Sequence, residues 1–179
     1  MTFSNSHSHT LASPLVLSRR HSLLLLGMGA SVLALRPSAL LGQTQHSVTA
    51  HNRAPDGTQM AFAPAILRIR PGESVRFGHA DRGHSFQSYD DTLPDGARSF
   101  GGGVGETIDV TFRAEGTYGY FCRPHQAMGM IGFVLVGDFT RNLAAVRAAS
   151  AARPGPMIAR RVAEYMGEID RIGRAEGLI

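Results

Sequence analysis

From Ser47 onward, apolar and polar positions alternate in short runs, and they change to three- and four-residue steps toward the end of the chain. Ala65 to Arg70 and Ser74 to Phe77 alternate with period two, the pattern of half-buried strands. Thr107 to Phe112 repeats it, with Ile108, Val110 and Phe112 on one face and Thr107, Asp109 and Thr111 on the other. Tyr118 to Cys122 and Ile131 to Val136 add two further strands. Asp56-Gly57, Pro71-Gly72, Pro94-Asp95-Gly96 and Glu115-Gly116 mark the reversals, because glycine and proline supply the backbone angles that turns require. Many short strands at this spacing predict a mainly β sandwich or barrel. After Gly137 the spacing becomes helical. Asn142 to Ala152 is alanine-rich, and Pro154-Gly155-Pro156 ends it. Ile158, Val162, Met166, Ile169 and Ile172 then line one face of a second helix. Two short amphipathic helices must bury those faces, and the sandwich is the surface available.

The N-terminal segment fits neither pattern. Met1 to Ser18 is polar, Arg19-Arg20 follow, and an apolar run extends from Leu23 to Leu35 before Arg36-Pro37. Thirteen residues are too few for a membrane span, which needs about 20. A basic pair, a short apolar core and then small or turn-forming residues have the order of an export signal. Residues 1–42 are therefore read as an address, with cleavage between about Ala39 and His46, and residues 43–179 as one domain. Ser18-Arg19-Arg20-His21-Ser22-Leu23-Leu24 resembles a twin-arginine signal, although Ser22 stands where that pattern prefers a bulky apolar residue.

Composition alters the picture in two places. The 179 residues carry 18 basic and 14 acidic side chains, a formal +4, and every basic residue is arginine. Three arginines (Arg19, Arg20 and Arg36) lie in the address, whereas all the acidic residues follow it. The domain itself is close to +1, which removes the support for a nucleic-acid partner. A single cysteine, Cys122, excludes an internal disulfide framework and a cysteine-based zinc ribbon.

That cysteine opens the densest chemistry in the chain: Cys122-Arg123-Pro124-His125-Gln126-Ala127-Met128-Gly129-Met130. Gly83-His84-Ser85 supplies another imidazole upstream. Two imidazoles, one thiolate and one thioether form the donor set of a trigonal His2Cys site with a weak axial Met, which suits copper in both oxidation states. Zinc usually takes four stronger donors. Other readings of the same residues remain: Cys122 as an inert core thiol, Cys122 with His125 as nucleophile and base, and the methionines as core packing. Spaced i, i+2, Met128 and Met130 point in different directions, so one of them is expected to pack in the core.

These residues, with their surroundings, resemble the pseudoazurins, type 1 copper proteins of the cupredoxin family, over about Val48 to Ile172. The resemblance is carried by Phe62-Ala63-Pro64-Ala65, Arg70-Pro71-Gly72-Glu73-Ser74-Val75, Asp81-Arg82-Gly83-His84-Ser85 and Leu93-Pro94-Asp95-Gly96-Ala97. It continues through Val110-Thr111-Phe112, Gly116-Thr117-Tyr118-Gly119-Tyr120, Cys122-Arg123-Pro124-His125, Met128-Gly129-Met130 and Val136-Gly137-Asp138. It implies a Greek-key cupredoxin sandwich of about eight strands, with two C-terminal helices within 139–176. It further implies one type 1 copper per chain, with ligands His84 Nδ1, Cys122 Sγ, His125 Nδ1 and Met130 Sδ, and leaves Met128 as the non-ligand methionine. Two positions depart from the family pattern: Ser85 replaces its frequent Asn, and Arg123 replaces its Thr and places a cation beside the site.

The function that follows is a periplasmic one-electron carrier, not an enzyme. It serves a nitrite reductase, a nitrous-oxide reductase or a cytochrome by transient docking, as a monomer without stable membrane association. The electron leaves through His125, ringed by Met60, Pro124, Ala127 and Met128, with Arg53, Arg82 and Arg123 steering. A copper delivery or storage protein is the competing class, and a thiol enzyme the third.

Overall fold

In this computed structural model the described residues are 45–179. The export segment read from residues 1–42, with Arg19-Arg20 and the Leu23–Leu35 run, lies outside them. The last residues of the cleavage window, Gln45 and His46, already belong to the first strand. Among the described residues no helix is long and apolar enough to cross a membrane.

Eight strands form two four-stranded sheets. In chain order they are β1 (Gln45–Arg53), β2 (Gln59–Ala63), β3 (Ile66–Ile69), β4 (Ser74–His79), β5 (Gln87–Ser88), β6 (Ile108–Thr111), β7 (Gly116–Phe121) and β8 (Ile131–Val136). One sheet runs β2-β1-β4-β6 and the other β3-β8-β7-β5. The β1–β4 and β3–β8 pairs are parallel and the rest antiparallel, so both sheets are mixed. The five strands delimited from alternation are all present within two residues of their expected ends. β1, β2 and β5 had no clear boundaries in the sequence, because β1 carries polar residues on its exposed positions and β5 is two residues long.

The inner faces of the two sheets enclose an aromatic core of Phe62, Phe77, Phe86, Phe112, Tyr118 and Tyr120 with Val48, Val75, Val134 and Val136. β8 is buried at every position, and its two faces explain why. Val134 and Val136 point between the sheets, while Ile131, Phe133 and Leu135 point outward into a second cluster under the helices. A strand covered on both faces reads as a continuous apolar run.

That cover is supplied by α1 (Leu143–Ala151) and α2 (Pro156–Ala175). Pro156 sits in the first turn of α2, where its missing N–H costs nothing, and the helix ends before Gly177 in the left-handed region. At 20 residues α2 is about 30 Å long, so it is not the short helix expected from the sequence. Its buried face carries Ile158, Val162, Tyr165, Met166 and Ile169, packed against the outer side of β8.

Candidate metal centre

Strand alternation aims the thiol. In β7, Tyr118 and Tyr120 face the core between the sheets, and Cys122 continues that phase one residue past the strand, with no exposure to solvent. His84 lies between β4 and β5, equally buried. The segment from Cys122 to Met130 returns to β8 through a closed set of backbone bonds. His125 N–H donates to Cys122 O (3.2 Å), Met128 N–H to His125 O (3.0 Å), and Met130 N–H to His125 O (3.3 Å). The loop is shut by Cys122 N–H donating to Met130 O at 3.0 Å. Gly129 turns the chain at φ 77°, and a Cβ there would stand 2.9 Å from the Met157 carbonyl of α2, so only glycine fits.

Three donor atoms converge at this end of the sandwich. His84 Nδ1 and His125 Nδ1 are 3.2 Å apart, and Cys122 Sγ is 3.8 Å from the first and 3.4 Å from the second. The point equidistant from all three lies about 2 Å from each, close to a first-row metal's bond to nitrogen and slightly under its bond to sulfur. These three residues are the metal-capable cluster of histidine, cysteine and acidic side chains among the described residues. A thiolate and two imidazoles are soft and borderline donors, the chemistry copper takes. The two methionines separate as their spacing requires. Met130 is fully buried, with its backbone bonded to both Cys122 and His125, whereas Met128 is 44% exposed.

The surroundings orient the donors. Asn52 Oδ1 accepts the Nε2–H of His84 at 3.1 Å, which leaves the His84 Nδ1 lone pair facing Cys122 and His125. The Asn52 N–H in turn donates to Asp81 at 2.8 Å. Burial, then the neighbouring His125, holds the proton affinity of His84 below that of an ordinary imidazole, so Nδ1 stays free for a metal. Ser85 joins two segments of the site, because its Oγ accepts the N–H of Arg123 at 3.0 Å and ties the His84 segment to the Cys122 loop. The Arg123 guanidinium donates twice to Gln87 Oε1, at 2.9 and 2.7 Å.

Of the three converging residues, only His125 reaches solvent. Pro124, Ala127 and Met128 lie beside it, all three exposed, and Met60 is half-buried. Arg53 and Arg82 are exposed, as is Arg123. Two contributors escaped the sequence reading. Asn52 belongs to no motif near His84, and only the parallel β1–β4 pairing brings its strand alongside. Met157, 45% exposed at the start of α2, borders the same surface depression as Ala127 and Met128.

The chain matches the family model described as copper binding proteins, plastocyanin/azurin family, over residues 48–137. It is 42% identical over 96 residues to a pseudoazurin of Methylorubrum extorquens, a match that spans 54% of this chain and 64%, just under two thirds, of that relative. It is 38% identical over 104 residues to a pseudoazurin of Paracoccus pantotrophus, covering 58% of this chain and 71% of the relative. The crystal structure of pseudoazurin from Methylobacterium extorquens AM1 superimposes with a TM-score of 0.65 at 34% identity, over 70% of this chain and 99% of that one.

Proposed function

The chain belongs to the plastocyanin/azurin family of copper-binding proteins, and on that premise we propose that it is a periplasmic one-electron carrier with one type 1 copper held by His84 Nδ1, Cys122 Sγ, His125 Nδ1 and Met130 Sδ. The observation that carries this reading is the convergence of His84 Nδ1, His125 Nδ1 and Cys122 Sγ within bonding reach of a single point. When bound, copper supplies the Cu(I)/Cu(II) couple that stores the electron.

The protein's own part is to keep the donors still and the route out short. His84 is fixed by Asn52, and Cys122 and His125 sit on a loop whose backbone bonds close on themselves. Such a frame resists the ligand movement that would slow electron exchange. Burial of Cys122 and His84 excludes water and competing oxidants, and leaves the His125 imidazole as the exit. Pro124, Ala127 and Met128 around it offer a small apolar face for brief docking. Arg53, Arg82 and Arg123 steer a partner such as a nitrite reductase, a nitrous-oxide reductase or a cytochrome, raising encounter rate more than affinity.

A thiol enzyme is disfavoured because a fully buried Cys122 reaches no substrate. A delivery or storage protein is disfavoured for a related reason: of its donors, only His125 is open to a recipient. Voltammetry of the copper-loaded protein separates carrier from carriage. A reversible one-electron wave that persists through many cycles is expected, and release of copper on reduction contradicts the carrier reading.

A further inference from the structure

We infer that Tyr89 is a positioning residue for the loop that carries His125, gripping it through Gln126 while the C-terminal helices hold Tyr89 itself through Arg153. Gln126 follows His125 directly and begins the short 3-10 turn Gln126–Met128. Its Nε2–H donates to Tyr89 Oη at 2.9 Å, and its carbonyl accepts the Gly129 N–H at 2.8 Å. No residue of this turn is buried, and Met128 is exposed. Tyr89 therefore ties this turn of the loop to the body of the protein.

The anchor is rigid. Tyr89 is 8% exposed, and its ring stacks on Phe121 with centroids 4.3 Å apart and planes 19° from parallel. The Arg153 guanidinium carbon also lies over the ring, 3.4 Å from its centroid. Arg153 stands in the link between α1 and α2 and pairs with Asp91, close to Tyr89 in the chain. The Tyr89 N–H donates to Gly119 O of β7 at 3.0 Å. A ring held by a stacked aromatic and a cation, and bonded through its backbone, has no rotamer freedom, so its hydroxyl is a fixed point for Gln126. The helical pair thereby reaches the metal-binding loop at two places, through this relay and through the packing of Met157 against Gly129.

The inference rests on the copper-site reading above, and its test distinguishes the two. Tyr89→Phe keeps the stack and removes the hydroxyl, Gln126→Ala removes the partner, and the double variant closes the cycle. In the copper-loaded full chain each single variant is expected to shift the ratio of the two visible thiolate-to-copper bands and the reduction potential in the same direction. Each should also lose copper to ethylenediaminetetraacetate about fivefold faster, the fold-change of one hydrogen bond. The double variant is expected to go no further than either single one. Amide exchange at Met128 and Gly129 in metal-free Tyr89→Phe is expected to speed up, a readout that does not depend on copper. Wild-type spectra and potentials in both single variants, or effects that add in the double one, overturn the inference. Unchanged amide exchange overturns it too. A wild type that takes up no copper overturns the metal reading alone.

Discussion

Asn52 Oδ1 accepts the Nε2–H of His84 at 3.1 Å, across a separation of 32 residues. This bond selects the tautomer in which the other ring nitrogen is an unprotonated donor. Asn52→Leu preserves the approximate volume and removes the acceptor. Copper affinity is expected to fall by about 10- to 100-fold, the usual cost of losing such a partner, while the fold survives. Competition titration of the two proteins against a common chelator measures the change.

Ser85 is expected to act on the scaffold. Its Oγ accepts the Arg123 N–H at 3.0 Å, and Ser85→Ala leaves that N–H without its partner in a part-buried position. Unfolding in urea is expected to show a loss of about 1 kcal/mol.

Tyr120 and Gly132 are cross-strand partners whose close approach fixes both. A Cβ on Gly132 would lie 2.4 Å from the Tyr120 hydroxyl and ring, so Gly132→Ala is expected to cost about 1–3 kcal/mol through overpacking. Among the described residues the buried Tyr120 hydroxyl has no hydrogen-bond partner. Tyr120→Phe is therefore expected to leave stability unchanged or raise it, because a desolvated and unpaired oxygen is removed. Thermal unfolding of both variants decides.

The Arg68 guanidinium donates to Glu176 at 2.8, 2.9 and 3.1 Å, joining β3 to the residue that caps α2. That hydrogen bonding holds the Glu176 carboxyl below the usual carboxylate range. The folded protein then keeps it ionised where the unfolded chain binds a proton. Its contribution is present above the ordinary carboxylate value and is lost as pH falls from there through the lowered folded value. Both side chains are about one third exposed, so the effect is small. Glu176→Gln is expected to lower stability near neutrality by about 0.5 kcal/mol and to flatten its acid dependence, as read by urea unfolding across the acid range up to neutrality.

The parts legible in the sequence were those that depend on local period and on chemistry packed into one segment. Ile131 to Val136 declared itself as a strand by being apolar throughout, and Cys122 to Met130 carried three of the four expected ligands within one loop. Pairing across long separations left no such mark. Asn52 reaches His84 only because β1 lies parallel beside β4, and Tyr89 meets Gln126 only because β5 adds to the edge of β7. α2 runs on past Ile172, the last apolar residue of its face, to Ala175, inside the 139–176 expected for the helical pair.

The central claim is a copper centre built on a single thiolate, and optical titration of metal-free protein with copper(II) tests it most directly. Intense blue absorption that rises in proportion and saturates at one copper per chain is predicted for the wild type, with no such colour in Cys122→Ser. A wild type that stays colourless, or a Cys122→Ser protein that turns equally blue, contradicts the account.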